Sequence, residues 1–187
     1  DDPVRCGLFT AMSLNYIRMG GYDKALEILY HAMTDATRLS EKKEIANTHR
    51  LMGITWWFRG DYERALEHYQ SALVIQREIG DDNGKESTLN NIGVVYMETG
   101  HLDEALEYFK EGLEYGEMVG DKDGMASTLD NLGGLYHTKG EAEKALGYQL
   151  RGLELYKMAG DKNGIAWSLS SLGYTYPDLG NIQRGIE

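Results

Sequence analysis

A single cysteine, Cys6, stands among the 187 residues, which excludes an internal disulfide and a thiolate metal cage. The chain also has no Asn-x-Ser/Thr glycosylation acceptor. Both absences lead to the expectation of a cytoplasmic location. Basic charge is scarce: 19 Lys and Arg face 30 Asp and Glu, for a net charge of -11 and a pI near 4.9. Nucleic-acid binding depends on Lys and Arg neutralising phosphates, so the composition argues against direct nucleic-acid contact and against anionic membranes. No apolar run approaches the length of a membrane span. The opening Asp1-Asp2-Pro3 carries neither a charged n-region nor an apolar h-region, and the expectation is a fragment of a longer protein. The chain lacks an HExxH, a G-x-S-x-G elbow, a Walker loop and a Rossmann fingerprint. The reading is therefore not an enzyme, with no cofactor and no metal.

What the sequence does have is repetition. The stretch from Asp81 to Gly120 returns forty residues later with seventeen identical positions and no gap. The frame extends back through Gly60 and Gly20 and forward through Gly180, giving about four and a half copies of one unit. Within a copy, apolar residues recur every three to four positions, as on an amphipathic helix. In the first copy Leu8, Phe9, Met12 and Tyr16 form one stripe. Asp2 reads as an N-cap and Pro3 as the first helical residue. A second helix opens near Asp23 and carries Ala25, Leu26, Leu29, Ala32, Met33 and Ala36. Each copy is thus predicted to be a helical hairpin.

Aligned copies give columns. Met12, Met52, Ile92, Leu132 and Leu172 form a large apolar column, followed one residue on by Ser13, Gly53, Gly93, Gly133 and Gly173, where small size permits close helix approach. Tyr16, Trp56, Tyr96, Tyr136 and Tyr176 are read as core wedges. Gly20, Gly60, Gly100, Gly140 and Gly180 end the first helix in a left-handed conformation. Ala25, Ala65, Ala105 and Ala145 mark the tightest crossing, with Gly185 in that place in the fifth copy. Gly80, Gly120 and Gly160 cap one helix, and Asp81, Asp121 and Asp161 cap the next. This capping account replaces a calcium loop, because Val119 stands where a further acidic ligand is needed. Histidines His31, His49, His68, His101 and His137 share no column with a carboxylate at i+4.

The order Ile92-Gly93, Tyr96, Gly100, Leu102, Ala105, Phe109, Gly112 resembles the tetratricopeptide repeat (TPR), and the match spans nearly the whole chain. The usual unit has 34 residues and a proline near its end; this one has forty and lacks that proline. The extra residues are expected to lengthen the second helix and the turn after it. In this the sequence is similar to the long repeats of spindle-orientation adaptors that bind GoLoco segments, and to helical sensor arrays of bacterial transcription regulators. The resemblance implies an all-α fold: an α-solenoid of antiparallel helix pairs in a right-handed superhelix, with first helices lining a concave groove. It implies one array over residues 1–187, with repeats near 1–40, 41–80, 81–120, 121–160 and a truncated 161–187.

The same resemblance supplies the groove positions: Asn47, Arg50, Leu51, Ile54, Trp57 and Phe58 in the second repeat, and Ser87, Asn90, Asn91, Val94, Met97 and Glu98 in the third. The fourth gives Ser127, Asp130, Asn131, Gly134, His137 and Thr138, and the fifth Trp167, Ser170, Ser171, Tyr174, Pro177 and Asp178. Asn91 and Asn131 share a column and can clamp a peptide backbone by donating and accepting; the alternative is that they bond neighbouring helices. Arg50 suits a carboxylate. Trp57 and Phe58 serve either as anchors for a partner or as packing against the next repeat, and Trp167 with Tyr174 offers a smaller apolar patch. Leu51, Ser87 and Ile54 stand where a chaperone-tail clamp needs Lys and Asn. The sequence reaches Glu187 one turn into the second helix of the fifth repeat, so Leu169, Leu172 and Tyr176 are expected to lose part of their cover, and the expectation is either a longer parent protein or self-association through that end.

The reading that follows is a scaffold holding a protein or peptide segment. The alternatives are a sensor arm of a larger signalling or transcription-regulatory protein and, more weakly, a small-molecule-binding or accessory subunit of an enzyme.

Overall fold

A computed structural model describes residues 3–178, and over that range every regular element is an α-helix. Nine helices follow one another: α1 (Pro3–Arg18), α2 (Tyr22–Leu39), α3 (Lys42–Phe58), α4 (Tyr62–Ile79), α5 (Asp82–Glu98), α6 (Leu102–Val119), α7 (Lys122–Thr138), α8 (Ala142–Ala159) and α9 (Lys162–Asp178). The fold is an α-solenoid type of antiparallel helix pairs, as the column pattern requires. Asp2, Gly180 and Gly185 lie outside the described residues.

The helices stop where the backbone turns left-handed. Gly20, Gly60, Gly80, Gly100, Gly120, Gly140 and Gly160 all have φ between 69° and 83°, and Ser40 fills the remaining place at φ 57°. A residue of this kind therefore recurs every twenty positions. Side chains resist that conformation, which explains glycine at seven of the eight. The aspartates act as read: Asp81 Oδ1 accepts from the Gly84 N–H at 3.3 Å, Asp121 Oδ1 from Gly124 at 3.1 Å and Asp161 Oδ1 from Asn163 at 3.0 Å. The turn itself is shorter than expected. Only Gly80 and Asp81 separate α4 from α5, and the rest of the GDDNG stretch already belongs to the first turn of α5.

The chain divides into two units, Asp1–Val95 and Tyr96–Glu187, with the divide inside α5. In the first unit α1 packs on α2, α2 on α3 and α3 on α4, with α1 also touching α3. Its core holds Leu29, Leu51, Met52, Tyr69, Leu89 and Ile92. Ala25 and Ala65 are fully buried at the crossings. Gly53 is where the Tyr69 ring lies: a Cβ there would sit 2.5 Å from Tyr69 Cε1. In the second unit α6 packs on α7, α7 on α8 and α8 on α9. Phe109, Leu129, Leu132 and Leu135 form its centre. The aromatic column reaches across the hairpins there, Tyr96 stacking on Tyr108 and Tyr136 on Tyr148 with ring centroids 5.3 Å apart in each pair.

Two core expectations need correction. Met12 is 45% exposed, although Met52, Ile92, Leu132 and Leu172 in its column are buried; α1 packs against α2 and α3 alone, so nothing among the described residues covers its other side. Leu172 keeps its cover at 4% exposure, whereas Leu169 stands 53% exposed as expected.

Candidate functional site

First helices α3, α5, α7 and α9 carry the expected groove residues, and the structure sorts them into those the core absorbs and those it leaves outside. Leu51 is 1% exposed and Asp130 6% exposed, so neither lines an open surface. Leu51 is apolar and turns into the first unit. Asp130 tucks in because Gly152 faces it: a Cβ at Gly152 would be 2.8 Å from Asp130 Oδ1. Asn90, Asn91, Met97 and Asn131 are half-buried.

In the first unit, Trp57 is half-buried and Phe58 is 47% exposed. Their rings meet edge to face at 4.6 Å, and Phe58 stacks on Tyr22 of α2 at 5.8 Å. Phe58 is thus braced from α2 and still open to solvent. Trp56, by contrast, is 9% exposed, with the Arg59 and Arg64 guanidiniums over its ring at 5.0 and 4.5 Å.

Arg50 borders a pocket of about 220 Å³ between α3, the end of α4 and the start of α5. Its Nη2 donates to Asn47 Oδ1 at 2.9 Å. Burial presses the guanidinium below its usual value, while Tyr69, Asp81 and Glu86 act in the opposite sense. Gln76 closes the back of the pocket at 2% exposure, and its Oε1 has no hydrogen-bond partner. Burial likewise pushes the Tyr69 hydroxyl well above its ordinary range.

In the second unit, His137 and Tyr174 come together around a pocket of about 200 Å³, with Gly134, Ser171 and Thr175 on its walls. Gln149 forms its floor, 2% exposed, with an unpartnered Oε1. Tyr174 and Trp167 are 72% and 67% exposed. Beneath them Ser168 Oγ donates to Asp130 Oδ2 at 2.7 Å, a bond that links α9 to α7 inside the core. Burial pushes the Asp130 carboxyl up to about 6, against the pull of that bond. Tyr156 is pushed up to about 12, first by burial and then by the Asp130 charge.

Sequence reasoning missed the buried amides Gln76 and Gln149, the burial of the groove position Asp130, and a contact between His49 and His68, whose Nδ1 atoms are 3.0 Å apart. No group of three or more His, Cys, Asp or Glu able to hold a metal occurs among the described residues. None of the described helices is long and apolar enough to cross a membrane.

The tetratricopeptide repeat family model matches residues 6–78, 44–118 and 84–158. A search of curated proteins finds no match. Among solved structures, BtubC (BKLC) from P. vanneervenii is similar with a TM-score of 0.84 and 21% identity, over 98% of this chain and 78% of that one. Aspartyl phosphate phosphatase F from Bacillus subtilis is similar with a TM-score of 0.87 and 20% identity, over 99% of this chain and 49% of the other. A Rap protein complexed with Competence and Sporulation Factor gives 0.86 and 13%, over 100% and 52%. The chain thus spans about three quarters of the first protein and about half of the other two.

Proposed function

Because the chain belongs to the tetratricopeptide repeat family, we propose that it is a non-catalytic scaffold for protein–protein interaction, a single array whose first helices hold a peptide or partner segment. One observation carries this reading. Aromatic side chains at the groove positions stand outside the core, with Phe58, Trp167 and Tyr174 at 47%, 67% and 72% exposure, while Trp56 and Tyr136 of the core column are at 9% and 7%. Aromatic anchors of this kind supply most of the energy when a partner buries them. Asn90 and Asn91 in the first unit and Met97, Asn131 and His137 in the second are the polar and adaptable positions of the same reading, and affinity is expected on the order of micromolar.

Capture with the full-length protein followed by mass spectrometry identifies the partner. The test is the combined Trp57→Ala, Asn91→Ala and Asn131→Ala variant: affinity falls at least tenfold with the helical melt intact. Unchanged affinity in a folded variant overturns the assignment of these faces.

A second reading makes the array the sensing arm of a regulatory protein. The likeness to a Rap protein complexed with Competence and Sporulation Factor supports it. A DNA-binding or catalytic domain in the same reading frame is its test.

A further inference from the structure

Gln76 and Tyr156 occupy the same place in the repeat, eighty residues apart, and so do Arg50 and Asp130. In the second unit the Tyr156 ring lies against Gly164 so closely that a Cβ there has no room. That ring fills the space behind α7. In the first unit the shorter Gln76 stands in its place, with its Nε2 2.7 Å from where a Cβ of Gly84 would be, and the space beside Arg50 stays open as the 220 Å³ pocket. The fourth copy therefore closes this site with a tyrosine, and the second, with a glutamine there, does not.

The open copy carries charges of both signs. Two cations, Lys43 and Arg50, and two carboxylates, Glu44 and Asp81, border it. Two acceptors remain unmet: Glu44 Oε2 and, on a side chain only 2% exposed, Gln76 Oε1. Buried acceptors without a donor are costly and rare, so a ligand that donates hydrogen bonds suits the site. Arg50 calls for one that accepts them, since its hydrogen bond to Asn47 occupies one of five guanidinium N–H donors. A plain anion would meet Glu44 and Asp81, and a plain amine would meet Arg50 and Lys43. A ligand with both charges and no net charge meets neither conflict. Size narrows it further, because the volume falls below the ~300–1,000 Å³ of pockets for larger metabolites.

We propose that this pocket binds a free α-amino acid, the carboxylate meeting Arg50 and the ammonium meeting Gln76 Oε1 and Glu44 Oε2. The walls are polar, with Asn83 and Ser87 at the mouth, so a short polar side chain fits better than an aliphatic or aromatic one. The site is separate from the exposed aromatic positions and stands or falls independently of the peptide reading.

The experiment is thermal unfolding and calorimetric titration of the full chain with each of the common amino acids. At saturation, a short polar amino acid raises Tm by about 2–5 °C. Its N-acetyl and carboxamide derivatives each bind at least tenfold more weakly, because each removes one charge. Gln76→Tyr, which copies the closed site, abolishes binding; Arg50→Gln weakens it at least tenfold and serves if the first variant does not fold. The proposal is overturned if no amino acid binds at millimolar concentration. Equal binding of the doubly blocked derivative also overturns it, and means that the site reads a peptide amide instead. Unchanged binding by the folded Gln76→Tyr variant is the third result against it.

Discussion

His49 and His68 meet across the α3–α4 hairpin with their Nδ1 atoms 3.0 Å apart and their ring centroids at 5.3 Å. One of the two must donate and the other accept, so full protonation of both sets N–H against N–H. Burial lowers both pKa values, and the His68 charge lowers that of His49 further. A histidine depressed in the folded state gives stability that is complete above its unfolded value of ~6.5 and is lost as pH falls through the folded one. The pair's contribution to stability against denaturant should fall from pH 7 to pH 5. His68→Asn should reduce the loss between those two pH values by roughly 0.5–1 kcal/mol, a figure kept small because both rings are partly solvated. Parallel slopes for the two proteins would remove the pair from the account.

Asp130 titrates with the opposite sign. Its carboxyl is raised to about 6 by burial, so between ~4 and about 6 the folded chain holds a proton that the unfolded chain has released. Its contribution to stability therefore declines as pH rises through that window. Asp130→Asn keeps an acceptor for Ser168 and removes the buried charge. Stability at pH 7 should rise by about 1–2 kcal/mol, and the gain should vanish near pH 4. A variant no more stable than wild type at pH 7, measured by urea unfolding, contradicts this.

Gly53 and Tyr69 are a matched pair. A methyl at Gly53 would stand 2.5 Å from the Tyr69 ring, and overpacking of that kind destabilises by about 1–3 kcal/mol. The first repeat shows the other solution, with Ser13 in the glycine's place and Leu29 in the tyrosine's, both fully buried. Gly53→Ser alone should lower Tm, and adding Tyr69→Leu should restore part of the loss. Simple additivity in a double-mutant cycle would show that the two do not share the space.

The repeat columns made the hairpins, their glycine stops and their aspartate caps legible, because each of those positions answers a backbone requirement that returns every twenty or forty residues. Met12 shows the limit: its column promises burial, but burial also depends on a helix on the far side. Leu51 and Asp130 show another, since groove positions taken from a family treat every copy as equally rotated and ignore what a glycine opposite allows. The buried amides and the histidine pair were hidden for a third reason. His49 stands in a column otherwise occupied by Phe9, Leu89, Leu129 and Leu169, and His68 in one with Ile28, Tyr108 and Tyr148. Gln76 shares its column with Ala36, Gly116 and Tyr156. Chemistry carried by one copy alone leaves no periodic trace.

The left-handed residue at every twentieth position also sets the grain at which the gene can change. One codon added inside a helix turns all that follows by about 100° before the next stop, carrying buried side chains out and charged ones in. An in-frame copy of forty codons brings its own stops, caps and small-residue crossings. Duplication of whole units is thus the length change this chain absorbs with least disturbance, and point substitution at places such as Gln76 is what can then set one copy apart from its neighbours.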